Sequence, residues 1–400
     1  MPVLLNASVI KFGLPMRLGM YVQVPFCQTK CTYCNFHTGV FSSDLYTPYV
    51  TAVCREVAEY PRLLRESQIA EIPGGIVDTV YFGGGTPSLL EPAGLARILD
   101  SMRAGFECKF EEVTLEADPE TITRAKAAAW LAAGFNRISM GVQSFEDREL
   151  KAAGRLHRRE DVFRANQILR EAGLRNISFD LIAGLPHQTH GSWDESVTQL
   201  LSLRPEHVSI YMMEIDESSR LGLEVLTGGM RYSASALPDD DSVAAFYERA
   251  CARLAEAGYD HYEISNWALP GFESRHNLKY WRRQPYCGFG AGAHSFNGTQ
   301  RWANAHDPAA YVAAIGQGRF PIEQLASVSR EDALEEELFL GLRQLAGIDL
   351  ARIESQYNAN LQPRVEELRA QGLVEWDGTR LRLAPDRLTV SNEVFVNLLT

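Results

Sequence analysis

Short runs of apolar, β-branched residues alternate along the first half of the chain with segments of helical spacing. The runs fall at residues 20–26, 77–82, 112–116, 137–142, 177–182 and 208–213. Their near-continuous hydrophobicity predicts strands buried on both faces. Between the first two, Thr47-Pro48 reads as an N-cap with proline at the first helical position, followed by Val50, Val53, Val57 and Leu64 at helical spacing. Residues 121–133 are alanine-rich and stop at Gly134, a helix with a glycine C-cap. Strand–helix units repeating at roughly 30–40 residues imply right-handed crossovers and a parallel sheet or barrel.

After about residue 305 the rhythm changes. Residues 331–345, 349–357 and 364–371 read as helices, and 373–376 and 380–383 as a hairpin turning at Asp377-Gly378. Three helices and a small hairpin predict a winged-helix-like domain. The expected organisation is therefore an α/β unit over residues 1–305, a connecting segment over 306–330 and an accessory domain over 331–400. A DNA-reading winged helix carries a net positive third helix. Here Arg364 and Arg369 are offset by Glu366 and Glu367, so the domain reads as a packing or interaction unit.

Composition narrows the class. The 400 residues are 46% hydrophobic with a net charge of −12, the balance of a globular chain with a sizeable core and a surface that repels phosphate backbones. No nucleic-acid partner is expected. No window approaches the ~18 uncharged apolar residues of a membrane span. The N-terminus lacks the basic-then-apolar order of a secretory signal. Seven cysteines, an odd number, argue for a reducing compartment, and the expected location is the cytoplasm.

Three of the seven, Cys27, Cys31 and Cys34, stand in PFCQTKCTYCNF just after the first predicted strand. Thiols at this density mean Zn²⁺ or an iron–sulfur cluster. His37 would complete a three-Cys, one-His zinc site, and the spacing alone leaves both open. Tyr81–Ser88, YFGGGTPS, closes the second strand with glycines that let backbone approach a ligand, and no Lys-Ser/Thr follows to make a Walker loop. Glu116 ends the third strand, Gln143 the fourth, and Arg155 follows in AAGRLH. Asp180 sits among apolar residues of the fifth, where an acid without a partner is costly. Polar groups at the C-terminal ends of successive strands converge on one mouth.

A Cys-x3-Cys-x2-Cys loop after the first strand resembles the radical S-adenosylmethionine (SAM) superfamily, and GGGTP resembles the segment that positions SAM's amino group there. The resemblance implies that Cys27, Cys31 and Cys34 hold a [4Fe-4S] cluster whose open iron binds the methionine end of SAM, and that an electron then cleaves the sulfonium to a 5′-deoxyadenosyl radical. From residue 21 to about 311 the chain resembles the oxygen-independent coproporphyrinogen III oxidase group, and the C-terminal helices and hairpin resemble that group's accessory domain. This implies a partial (β/α)6 barrel. It also implies Tyr21, Tyr33, Gly84, Gly85, Thr86, Glu116, Gln143, Arg155 and Asp180 as SAM contacts.

Two departures set the chain apart from the oxidases. Their cysteine motif continues with a fourth cysteine where this chain has Phe36, and their long N-terminal arm has no counterpart in the 20 residues before Tyr21. Arg275–Trp281, RHNLKYW, instead resembles the HNxxYW motif of the HemW-type haem chaperones, the sister branch. That resemblance implies a haem-binding protein that delivers haem to acceptors. Respiratory enzymes, a membrane encounter and an electron donor are implied partners. Oxidative decarboxylation of porphyrinogen propionates is the alternative, and a zinc-stabilised scaffold a third. His276 is expected to contribute to haem binding, oriented by Asn277, with Tyr280 and Trp281 flanking the macrocycle. His294 and Cys287 are the next candidates. Cys54, Cys108 and Cys251 read as core thiols.

Overall fold

The computed structural model describes residues 16–72 and 75–399. Its first part runs β1 (Met16–Val24), α1 (Tyr46–Glu66), β2 (Gly75–Gly84), α2 (Pro92–Gly105), β3 (Cys108–Ala117), α3 (Arg124–Ala133), β4 (Arg137–Gln143), α4 (Asp147–Ala152), α5 (Arg159–Ala172), β5 (Ile177–Ala183), α6 (His190–Leu203) and β6 (His207–Met212). The six strands lie side by side in chain order, all parallel. They are the six expected from the apolar runs. The arm-less N-terminus inferred from sequence lies largely outside the described residues.

Two helix starts differ from expectation. Helix α1 begins at Tyr46, so Thr47 and Pro48 lie inside its first turn. The Ser42 side chain accepts from the Asp44 N–H and starts a 3₁₀ turn one step earlier, and proline is tolerated where its missing N–H has no acceptor. Residues 119–121 form a separate 3₁₀ turn. Helix α3 then starts under Thr123, whose hydroxyl accepts from the Lys126 N–H, and ends at Gly134 with φ +106°.

Beyond β6 come α7 (Arg220–Leu226), α8 (Asp240–Glu256), β7 (Asp260–Glu263), β8 (Asn266–Ala268), α9 (Arg275–Trp281), β9 (Tyr286–Phe289), β10 (His294–Phe296), β11 (Gln300–Asn304), α10 (Pro308–Gly316) and β12 (Ile322–Ser327). The wall stays open. Strands β8 and β7 extend it past β6, and β9 to β12 extend it past β1. The segment 306–330, expected only to connect, thus holds a helix and an edge strand of the main sheet. Tyr311 of α10 donates to buried Glu56 of α1, which also accepts from Asn304 and the Gly290 N–H.

The C-terminal part contains α11 (Arg330–Gly341), β13 (Ile348–Asp349), α12 (Leu350–Tyr357), α13 (Gln362–Ala370), β14 (Val374–Trp376), β15 (Arg380–Leu383) and α14 (Ser391–Leu399). The hairpin turns at Asp377-Gly378 as expected, with the Asp377 carboxylate accepting from the N–H groups of Thr379 and Arg380. The two-residue β13 makes it three-stranded, in the order β13-β15-β14.

The parallel strands are buried on both faces but apolar on only one. Met20, Val22, Val80, Phe82, Leu115, Met140, Phe179 and Leu181 pack into the hydrophobic core. The alternate positions turn inward and are polar. Tyr81 bonds Glu116, Ser139 bonds Asp180, and Ser178 bonds His207. A polar interior must be hydrogen-bonded to be stable.

Helix α9 does this at the N-terminal end of the strands. The Glu112 carboxylate accepts the N–H groups of Arg275 and His276 at 3.1 and 3.0 Å, a favourable anion at a helix start. The His276 ring bonds Thr79 Oγ1 through Nδ1 and the Tyr280 hydroxyl through Nε2, both at 3.0 Å. Lys279 Nζ reaches Asp78 at 2.8 Å, with both side chains at most 10% exposed. Breaking the pair leaves buried Asp78 only the more distant, partly exposed Arg17, 3.8 Å away. Lys279→Met should lower the free energy of unfolding in urea by about 3 kcal/mol. The double change Asp78→Leu with Lys279→Met should recover most of that loss, because it leaves no charge behind.

Candidate functional site

The C-terminal ends of the same strands open into a cavity of about 560 Å³, in the range of ligand pockets. The loop after β1 forms one side of it. The Cys27 N–H bonds Gly39 O and the Gly39 N–H bonds Pro25 O, both at 2.9 Å, closing the loop at its base. The Thr32 N–H bonds Ala153 O just beyond α4, and the Leu221 N–H of α7 bonds Thr32 O. Pinned on both sides, the loop lines the cavity with Cys27, Cys31, Tyr33 and Cys34. All three cysteines are free. Burial pushes the Cys27 thiol up to about 11, so a thiolate there needs a cationic partner.

The opposite side is built from strand ends. Glu116 accepts from the Tyr81 hydroxyl at 2.8 Å and the Gly84 N–H at 3.0 Å. Burial, reinforced by nearby Asp180, raises it to about 7 against those two hydrogen bonds. Asp180 accepts from Ser139 and Ser178, and burial raises it as well. This answers the question of its partner: serines of β4 and β5 hold it. Gln143 sits at φ +63°, where β4 slips register against β5. A non-glycine residue held there stores about 1–3 kcal/mol of strain, a pattern found at functional sites. Gly84, Gly85, Thr86, Gln143 and Arg155 all line the same cavity.

Asp118 is a residue that the sequence reading missed. It accepts from Thr86 Oγ1 at 2.9 Å and pairs with Arg155, whose Nη1 lies 3.7 Å from Cys31 Sγ. It therefore joins the glycine loop to the cysteine loop. Its place in LEADP, two residues past Glu116, is the signal that could have found it. Tyr81, Tyr211 and Arg343 also line the cavity unforeseen.

Other expected residues are elsewhere. Tyr21 does not line the cavity. Its hydroxyl donates to Gln23, and its ring stacks beside those of Tyr81 and His276, at 6.0 and 6.5 Å. None of His276, Asn277, Tyr280 or Trp281 lines it either. His276, expected to touch haem, is 1% exposed with both ring nitrogens bonded, and burial followed by the Lys279 charge lowers it to about 3. Thr79 and Tyr280 orient the ring, the role expected of Asn277. Trp281 packs beneath the Arg343 guanidinium at 4.6 Å. Cys287 is buried, and burial raises its thiol to about 12.

The donor set fits an iron–sulfur cluster better than a zinc ion. Among the described residues, no three His, Cys, Asp or Glu side chains gather closely enough to hold one metal ion. A cluster spreads its thiolates over separate irons. His37, the fourth ligand of the zinc alternative, packs its ring on His306 at 3.9 Å. For SAM, the cavity offers carboxylates for an ammonium, backbone at Gly84 and Gly85, and polar side chains for a ribose.

This wall of six parallel strands, with three thiols at its mouth, defines a protein of the radical SAM superfamily. Residues 21–200 match that superfamily and residues 328–386 match the HemN C-terminal domain. The chain is 34% identical to heme chaperone HemW of Bacillus subtilis over 94% of this chain and 97% of that one. It is 34% identical to heme chaperone HemW of Escherichia coli, with 69% of each chain covered. The bovine (Bos taurus) mitochondrial radical S-adenosyl methionine domain-containing protein 1 is 32% identical, over 96% of this chain and 88% of that one. The chain belongs to the HemW family of haem chaperones. Among solved structures, coproporphyrinogen III oxidase from Escherichia coli superimposes with a TM-score of 0.80 at 22% identity, over 96% of this chain and 90% of that one. The shared architecture is the radical SAM fold with its C-terminal domain.

Glu116 gives the site a pH signature. A carboxylate attracts an ammonium only when ionised, and burial raises Glu116 to about 7. SAM affinity, measured by calorimetry on the reconstituted protein, should be highest near pH 8 and fall as pH drops through 7. Glu116→Gln should weaken binding at pH 8 about tenfold or more and flatten the dependence.

Proposed function

We propose that Cys27, Cys31 and Cys34 hold three irons of a [4Fe-4S] cluster, and that SAM lies across the cavity beside the fourth. Glu116 receives the SAM ammonium. Gly84, Gly85 and Thr86 present backbone to its amino-acid end. Gln143 and Asp180 bond ribose or adenine, Arg155 neutralises charge beside Cys31, and Tyr33 packs against the bound molecule. When bound, the cluster supplies an electron to SAM. The protein binds haem and passes it to acceptor proteins, respiratory enzymes among them, with a separate electron donor. The observation that carries this reading is the set of three free thiols that share one cavity with Glu116 and Asp180, in a chain whose relatives include heme chaperones.

Porphyrinogen decarboxylation is the activity to set against it. The oxidase likeness is one of fold, and Phe36, 65% exposed at the cavity edge, stands where the oxidase motif has a fourth cysteine. Anaerobically reconstituted protein should contain about four iron and four sulfide, lost together in Cys31→Ala. It should take up haem and yield it to an apo-haemoprotein, yet form no protoporphyrinogen from coproporphyrinogen III. Protoporphyrinogen formation that depends on Cys31 would overturn the chaperone reading. One zinc and no sulfide would overturn the cluster.

A further inference from the structure

His276 lies in the barrel floor with both ring nitrogens already hydrogen-bonded, which leaves neither free for an iron. Three other histidines meet at the mouth end of the sheet, each from a different element. His37 is on the cysteine loop, His294 opens β10 and His306 follows β11. The His37 and His306 rings lie 3.9 Å apart at 37°. Gly292, at φ +73°, makes room for them, since a Cβ there would stand 3.1 Å from His306 Nδ1.

These three differ from the structural histidines of the same chain. His207 and His276 are buried with both ring nitrogens hydrogen-bonded. Among the described residues, no ring nitrogen of His37, His294 or His306 has a hydrogen-bond partner. The nearest charged contact is His306 Nε2 to Glu323 at 4.0 Å. Partial desolvation first, and then the neighbouring imidazoles and cations, lower His37 and His294 below the ordinary histidine range. His37 and His294 are both exposed. Apolar surface lies alongside: Phe36 and Val40, flanking His37, are 65% and 63% exposed. Lys30 is close enough to act on His37 electrostatically.

An unprotonated, unbonded imidazole beside exposed apolar side chains and a cation matches three needs of an iron porphyrin: an axial nitrogen, a flat apolar rest and a partner for a propionate. The absence of a three-ligand ion site among the described residues disfavours a lone divalent metal there. We propose that haem is held on this face, with His37 as its axial ligand and His294 and His306 completing the histidine cluster. This places the cargo beside the cysteine loop, at the rim of the SAM cavity that Lys30 and Phe36 also line. It rests on the haem-binding reading above. Ligation replaces a weak ligand on the iron and leaves its oxidation state unchanged.

The test titrates the reconstituted full chain with ferric protoporphyrin IX and follows the Soret band. His37→Ala should shift the band and weaken binding about tenfold or more. His37→Ala/His294→Ala/His306→Ala should lose the ligated spectrum while keeping its iron–sulfur content and far-ultraviolet circular dichroism. His190→Ala should match the wild type. A triple variant with wild-type spectrum and affinity would overturn this site and leave the haem-protein reading standing. A wild-type chain that binds no haem would overturn both. Stoichiometric uptake of Zn²⁺ alone, lost in the triple variant while haem binding persists, would make this face a metal-ion site instead.

Discussion

The inward face of the parallel strands is polar, and it is buried. That constraint shapes both ends of the barrel. Glu112 and Glu116 stand on the same face of β3, two pleat repeats apart with Thr114 between them. Glu112 is satisfied by the protein itself, through the first N–H groups of α9. Glu116 has only Tyr81 and Gly84, and burial keeps it near 7. The floor is thus completed by the chain, and the mouth is left with electrostatics that a cationic ligand would improve.

The HNxxYW segment belongs to the floor. His276, Lys279 and Tyr280 plug the interior. Trp281 turns the other way and supports Arg343, which lines the cavity. The segment therefore reaches the site through Arg343 and through the strands that it braces. A motif can be needed for a function without touching its ligand. The cysteine loop is braced similarly, by Thr32 on the end of α4 and by Asp118 and Arg155 beneath it. Such contacts fix the loop that carries the three thiols.

The sequence exposed the scaffold where its signal was strong. Six apolar runs became the six parallel strands, and the cysteines, the glycine turn and the strand-end polar residues met in one cavity. Less was legible where elements were short. Strands of three or four residues such as β8 and β10 carry too few positions to show an alternation, and their pairing is decided by the neighbouring strand. The inward polar residues Thr79, Thr114, Ser139 and Ser178 interrupt the apolar runs singly in the sequence. Their common face appeared only once register was known. The burial of His276 was not legible, because burial is a property of the packed molecule and the same letters suit a ligand or a plug.

The claim at the centre is that the cysteine loop and the polar strand ends form one site, with a cluster on one side and SAM on the other. Electron paramagnetic resonance of the reduced, reconstituted protein, recorded with and without SAM, tests it directly. A half-integer signal of a one-electron-reduced [4Fe-4S] cluster is predicted, with g values that move when SAM is added. A cluster signal indifferent to saturating SAM would contradict the shared site, and protein holding stoichiometric zinc with no such signal would contradict the cluster itself.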